Sequence, residues 1–163
     1  IPLMLEAFAK SCGSISENLI LVGSATKDEL SRLNKTISKF SLDHRVKHLG
    51  YVTDETLQGL YSNATSLIFL SYHEGFGLPV LEAMQHGLPV ITSPNGALSE
   101  VAGDAGIFVN LNDIRNISEA IIQVANSNSL KVDIGRKAIA QSKIFTWDKT
   151  AKMTIDIYEN LLK

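Results

Sequence analysis

Two glutamates, Glu74 and Glu82, bracket a glycine-bearing turn in the stretch LSYHEGFGLPVLEAMQHGLPVIT, Leu70 to Thr92. A fixed carboxylate can accept two hydrogen bonds from a vicinal diol such as a ribose. Gly75 and Gly77 admit positive φ and let a ligand come close to the backbone. Pro79 suits the first turn of a helix, where its missing N–H costs nothing and its fixed φ helps. The N–H groups around Gly77, Leu78 and Val80 would then lie at the positive end of a helix dipole, which favours phosphate. A diol acceptor beside an anion-ready helix start suits a phosphorylated sugar donor.

Each glutamate also has a plainer reading. Glu82 shares a helical face with Leu78, Gln85 and His86, and an acid in a first helical turn is stabilised by the dipole whatever else it does. Glu74 lies on a loop, where site residues concentrate but where a solvated acid is equally at home. Spacing alone does not separate these alternatives.

The elements around the stretch alternate. Short apolar runs near residues 20, 47, 68, 90 and 108 read as five strands, the run Thr65 to Leu70 as a buried parallel one. Helical spacing marks Pro2–Lys10, 27–40 and a helix starting at Thr53 or Asp54. It marks 78–86, with Gly87 ending that helix, and three more at Ile114–Ser127, Leu130–Ser142 and Trp147–Leu162. Thr26 with Glu29 three residues on forms a capping-box pattern. Strand–helix alternation predicts an α/β fold, a doubly wound parallel sheet covered on both faces.

The run Glu74-Gly75-Phe76-Gly77-Leu78-Pro79, followed by Leu81-Glu82-Ala83-Met84, resembles the E-x7-E signature of retaining GT-B glycosyltransferases, the glycosyl transferases group 1 family. The likeness continues through Gly87-Leu88-Pro89-Val90-Ile91 and Ser99-Glu100-Val101 and covers nearly the whole chain in order. It implies a Rossmann-like C-terminal domain that binds a nucleotide sugar. Glu82 would bind the ribose hydroxyls, and Glu74 would hydrogen-bond the transferred sugar near the reacting carbon. Backbone N–H groups of Gly75, Phe76, Gly77 and Leu78 would line the sugar and diphosphate. Tyr51, after the second strand, would contact the nucleobase; a half-buried loop tyrosine is the alternative. Gly23 and Ser24 end the first strand on the same edge.

The family's domain has six strands, and only five are visible here, so the first strand is expected to be missing. A gap is then expected between the strands near residues 20 and 68, with either a compromised sheet or completion by another chain. The family's basic pair, an Arg and a Lys on the loop after that strand, has no counterpart. Each lost charge-assisted partner of the diphosphate is worth about 1.5–3 kcal/mol. The chain opens Ile1-Pro2 without Met and reads as a single domain, 1–163, truncated at its N-terminus. The acceptor-binding N-terminal domain would be absent, and these residues alone are expected to transfer no sugar.

Composition bounds the rest. At 163 residues, 45% hydrophobic and 20% charged, the chain is ordinary for one globular domain. A net charge of −2 gives no electrostatic case for nucleic acid. The single cysteine, Cys12, excludes an intrachain disulfide and fits a reducing, cytoplasmic setting. It reads as a small helix residue with only Lys10 as a basic neighbour. His44, His48 and His86 are scattered, and neither they nor any Asp-x-Asp run suggests a metal, so no metal cofactor is expected. His73 could donate a proton but more simply is exposed. Glu100 reads as a helix-start acid and Trp147 as a packing anchor for the last helix, which in the family crosses back toward the N-terminal domain.

The resemblance implies the donor-binding half of a retaining hexosyltransferase. It would move a sugar from a nucleotide-diphosphate sugar to an acceptor hydroxyl in polysaccharide or glycolipid biosynthesis. The partners would be the donor and, through the other domain, a glycan or lipid-linked acceptor, with peripheral contact at a membrane surface in the full-length protein. Competing readings are a related GT-B enzyme, such as a nucleotide-sugar epimerase or a disaccharide-forming synthase, and a non-catalytic nucleotide-sugar-binding subunit. A dinucleotide-dependent dehydrogenase ranks last, because Gly23-Ser24-Ala25-Thr26-Lys27 lacks the required glycine turn.

Overall fold

A computed structural model describes residues 1–162. The chain runs α1 (Pro2–Ser11), β1 (Leu19–Leu21), α2 (Lys27–Lys39), β2 (Val46–His48), α3 (Asp54–Asn63), β3 (Leu67–Phe69) and α4 (Leu78–Gln85). It continues through β4 (Val90–Thr92), α5 (Leu98–Ala102), a 3₁₀ turn (Gly103–Ala105), β5 (Gly106–Phe108), α6 (Ile114–Asn126), α7 (Asn128–Ser142) and α8 (Trp147–Leu161). The alternation of strand and helix read from the sequence is the observed one. The capping box is formed: the Glu29 N–H donates to Thr26 Oγ1 at 3.3 Å, and the Thr26 N–H donates to Glu29 Oε2 at 2.7 Å.

All strand pairs are parallel, but they form two sheets rather than one. β1 pairs with β2, Leu19 opposite Val46, and β3–β4–β5 form a second ladder with Leu67 opposite Val90 and Val90 opposite Gly106. No ladder joins β1 to β3 among the described residues, which is the break expected between the strands near residues 20 and 68. The break has a cost in burial. β4, flanked on both sides, is wholly buried, whereas every residue of β3 is only half-buried. The apolar run at β3 predicts a buried strand; with one ladder neighbour instead of two, it stays partly open.

Two apolar clusters hold the domain. One gathers Leu5, Phe8, Leu21, Ile91, Ile117 and Val124 from α1, β1, β4 and α6, so a shared core bridges the two sheets. The other packs α4, α5 and α7 around Val80, Met84, Leu98, Val101 and Ala138. Each of the larger side chains among these, Val, Leu, Ile, Met or Phe, taken from water to full burial, contributes about 1.5–3 kcal/mol before entropy is counted.

Two expectations fail here. Trp147 is 81% exposed, and α8 buries none of its residues, so Trp147 anchors nothing among the described residues. Cys12 caps α1, and its basic neighbour is Arg45 rather than Lys10: Arg45 Nη1 donates to the Cys12 carbonyl at 3.4 Å. Burial raises the Cys12 thiol above its ordinary value, and the Arg45 charge only partly offsets this. A shift in that direction keeps the thiol in its protonated, less nucleophilic form at neutral pH. No helix is long and apolar enough to cross a membrane among the described residues.

Candidate functional site

The loop from Leu70 to Gly77 leaves the carboxyl end of β3 and opens directly into α4. Gly77 is the N-cap of α4 and sits at φ +98°, a left-handed conformation that favours glycine. A Cβ there would lie 2.6 Å from Leu98 Cδ2, so the loop also passes tightly over α5. Gly75 differs: its φ is not left-handed, and a Cβ would meet nothing within 4 Å. Its smallness leaves room on the open side of the loop.

The start of α4 is largely as the sequence implied. Pro79 occupies the first turn, and the N–H groups of Gly77 and Leu78 find no acceptor among the described residues. Val80 is a correction. Its N–H donates to the Gly77 carbonyl at 2.9 Å, so it is already satisfied. The anion-ready donors are therefore those preceding Pro79.

Glu82 is not a first-turn acid. It is the fifth residue of α4, whose first turn carries no acidic side chain. Instead its Oε2 accepts the Tyr61 hydroxyl of α3 at 3.0 Å. One turn on, His86 bridges to α3 as well: its Nδ1 lies 3.0 Å from Ser62 Oγ, and its Nε2 donates to Gln58 Oε1 at 2.5 Å. The plain dipole reading of Glu82 thus gives way to a side chain held from a second element. At the other end, Gly87, at φ +67°, closes α4. The Gly87 N–H returns to the Met84 carbonyl, and the Leu88 N–H returns to that of Ala83, a glycine-terminated cap.

Glu74 is half-buried. Its loop is buttressed by the loop after β4. The Ala97 N–H donates to the Glu74 carbonyl at 3.3 Å, and the buried Ser93 hydroxyl donates to the Ser71 carbonyl. Thr92 Oγ1 donates to the Phe69 carbonyl at 2.8 Å, locking the end of β3 to β4. Phe76 packs edge-to-face on Phe145, with ring centroids 5.7 Å apart. That contact holds the Phe76 side chain against the protein.

His73 is exposed, and among the described residues only its backbone is engaged, with the Ser71 hydroxyl. Tyr51 lies on the other sheet, after β2, and is 80% exposed; the half-buried alternative for it does not hold. That loop is tied to the one after β1. The Gly23 N–H donates to the Gly50 carbonyl at 2.9 Å, and His48 Nε2 donates to the Gly23 carbonyl at 2.8 Å. Glu100 stands in the first turn of α5, as its sequence position suggested.

Sequence reasoning missed Tyr61, Phe145 and the Ser93–Ala97 buttress. The Asn95-Gly96 dipeptide was a turn signal that could have drawn attention to the last. No group of three or more His, Cys, Asp or Glu side chains close enough to hold a metal ion occurs among the described residues. A surface hollow of about 650 Å³, lined by Glu6, Lys10, Asp113, Arg115 and Glu119 among others, lies against α1 and α6 and includes none of the residues above.

Parallel strands, helical crossovers and a glycine-turned helix start at a strand's carboxyl end define a doubly wound α/β domain, a fold class in which ligands bind at the strands' carboxyl ends. The sequence profile of "Glycosyl transferases group 1" matches residues 1–141, and the chain belongs to that family. It is 41% identical over 116 residues to the O-antigen chain mannosyltransferase B of Escherichia coli, covering 71% of this chain and 30% of that protein. The chain therefore spans less than a third of that relative's length. Among solved structures, sucrose-phosphate synthase (tll1590) from Thermosynechococcus elongatus superimposes with a TM-score of 0.84 at 26% identity. The match covers 97% of this chain and 42% of the synthase. Anabaena Alr3699/HepE, solved in complex with UDP and glucose, superimposes at 0.81 with 24% identity, over 98% of this chain and 43% of HepE. This second likeness shows the shared fold.

Proposed function

We propose that the chain is the donor-binding half of a retaining glycosyltransferase. It would move a sugar from a nucleotide-diphosphate sugar to an acceptor hydroxyl in polysaccharide or glycolipid synthesis. The observation that carries the reading is the turn into α4. Left-handed Gly77 leaves the Gly77 and Leu78 N–H groups without an acceptor among the described residues at a helix start, with Glu74 just before the helix and Glu82 a turn into it. The diphosphate docks on those N–H groups and the dipole behind them. Glu82 takes the ribose hydroxyls, and Glu74 orients the transferred sugar. The Gly75 and Phe76 backbone lines the sugar, and Tyr51 borders the base.

Chemistry at such a site is positional and electrostatic. The helix start stabilises the charge that grows on the departing diphosphate, and the fixed sugar presents its anomeric carbon to the acceptor. No metal is required for this role, so chelation of divalent cations leaves transfer intact. The acceptor is a glycan or lipid-linked glycan bound largely outside residues 1–163, and this stretch alone transfers no sugar. The mannosyltransferase likeness makes a mannosyl donor the first to test.

Calorimetry of UDP, GDP and ADP on the full-length protein and on Glu82→Ala tests the reading. One nucleotide should bind, and the substitution should weaken it at least about tenfold, the loss of a charge-assisted hydrogen bond or more. Equal binding by wild type and Glu82→Ala, or binding of none of the three, overturns it.

A further inference from the structure

The contact between Tyr61 and Glu82 joins two elements that the sequence separates by 21 residues. Tyr61 is only 8% exposed, and its hydroxyl reaches Glu82 Oε2 at 3.0 Å. Burial, and then the carboxylate itself, push the Tyr61 phenol far above its ordinary value. It is a permanent donor at any working pH. Glu82 Oε1 accepts no hydrogen bond among the described residues. The carboxylate is thus held by one oxygen and open at the other.

A second pair of contacts runs alongside. Gln58, Tyr61 and Ser62 share one face of α3, and Glu82 and His86 share one face of α4. His86 is gripped by Gln58 and Ser62 on either ring nitrogen, and its ring lies 5.8 Å from that of Tyr61. This second grip already ties the end of α4 to α3. The Tyr61 bond adds immobilisation of a glutamate, a side chain that otherwise loses considerable rotamer freedom when it binds.

We infer that Tyr61 is a positioning residue for Glu82: it fixes Oε2 so that Oε1 is presented to the ribose diol of the donor. This rests on the reading of Glu82 as the ribose acceptor. A carboxylate held by an outer partner keeps the geometry that two hydroxyls require. A tether that served only to join α3 to α4 would contribute to folding and leave discrimination between ribose and deoxyribose unchanged.

The test uses the full-length protein and whichever of UDP, GDP or ADP binds, together with its 2′-deoxy and 3′-deoxy forms. Calorimetry gives the ratio of ribose to deoxyribose affinity. Tyr61→Phe should lower that ratio about tenfold, in line with one charge-assisted bond. Ser62→Ala, which loosens the neighbouring His86 grip, should leave the ratio unchanged. In Glu82→Ala the ratio should collapse, and adding Tyr61→Phe to it should change nothing further. Tyr61→Leu, which also lacks the hydroxyl, is read in the same way should the Phe variant fold poorly. A wild-type ratio in Tyr61→Phe beside a collapsed ratio in Glu82→Ala overturns the positioning role alone. A loss in Ser62→Ala equal to that in Tyr61→Phe assigns the effect to helix packing and overturns it too. A wild-type ratio in Glu82→Ala, or binding of none of the three nucleotides, overturns the ribose reading and this inference with it.

Discussion

Gly96 packs against Glu74 so closely that a Cβ on Gly96 would stand 2.8 Å from the Glu74 carbonyl oxygen, the atom that accepts the Ala97 N–H. Gly96 also sits at φ +59°, in the left-handed region. Both facts bear on one substitution. Gly96→Ala must adopt a conformation that costs about 1–2 kcal/mol for a residue with a Cβ, and it must push against backbone that cannot swing aside. The variant should unfold at lower denaturant, and donor affinity should fall because the Glu74 loop moves. Urea unfolding and calorimetry on the same preparation check both. Wild-type affinity in a destabilised Gly96→Ala protein would show that the buttress does not set the position of Glu74.

Gly75 and Gly77 separate two roles that one short turn combines. At Gly77 the positive φ and the 2.6 Å approach to Leu98 Cδ2 make alanine costly to the fold, by about 1–2 kcal/mol from the backbone conformation alone. At Gly75 nothing lies within 4 Å of an added Cβ, and stability should change by less than about 0.5 kcal/mol. Gly75→Ala should nevertheless weaken donor binding if a ligand lies against that backbone. Thermal unfolding of the two variants beside their nucleotide affinities distinguishes the cases. A Gly75→Ala protein with wild-type affinity would remove Gly75 from the site.

What the sequence revealed was local. The Thr26–Glu29 box, the Pro79 start and the Gly87 stop of α4 all involve partners within a turn of one another, so residue types and spacing suffice to find them. The doubly wound pattern was legible because strand and helix periods differ along the chain. The contacts that shape the site are not local. Tyr61 reaches Glu82, Phe76 meets Phe145, and Ala97 supports Glu74. Each depends on how separate elements pack, which no window of sequence contains. The half-exposure of β3 was hidden for the same reason. An apolar run declares a strand but not how many neighbours it will pair with, and among the described residues the count is one. Trp147 failed differently: its size suggested burial, but α8 leaves its apolar side chains uncovered among the described residues.

The capping box of α2 predicts a pH dependence. The Thr26 N–H, and next its hydroxyl, hold the Glu29 carboxyl below its ordinary value of 4.5. A carboxyl whose folded value is depressed binds its proton more readily in the unfolded chain. Its contribution is therefore complete above the unfolded value and is lost as pH falls through the folded one. Urea unfolding of the wild type and of Glu29→Ala should show the largest difference near pH 7 and a shrinking difference below about pH 4.5. A difference that stays constant down to pH 3 would mean that the ionised carboxylate contributes nothing to the cap.

Two helical glycines should respond to alanine with opposite signs. Gly59 lies in α3 with nothing within 4 Å of an added Cβ. Helix propensity alone decides there, and Gly59→Ala should stabilise by about 0.5–1 kcal/mol. Gly135 lies in α7, where the same gain is available in principle. But its Cβ would stand 2.5 Å from the Gly87 carbonyl oxygen, at the residue that closes α4. That oxygen belongs to backbone in a left-handed turn, φ +67°, and cannot yield without unwinding the cap. Overpacking of this kind costs about 1–3 kcal/mol, which exceeds the propensity gain. Gly135→Ala should therefore destabilise while Gly59→Ala stabilises, by denaturant midpoints measured under one set of conditions. A stabilised Gly135→Ala protein would show that α7 can step away from α4 freely, and that the close approach at Gly87 is not what seats the two helices.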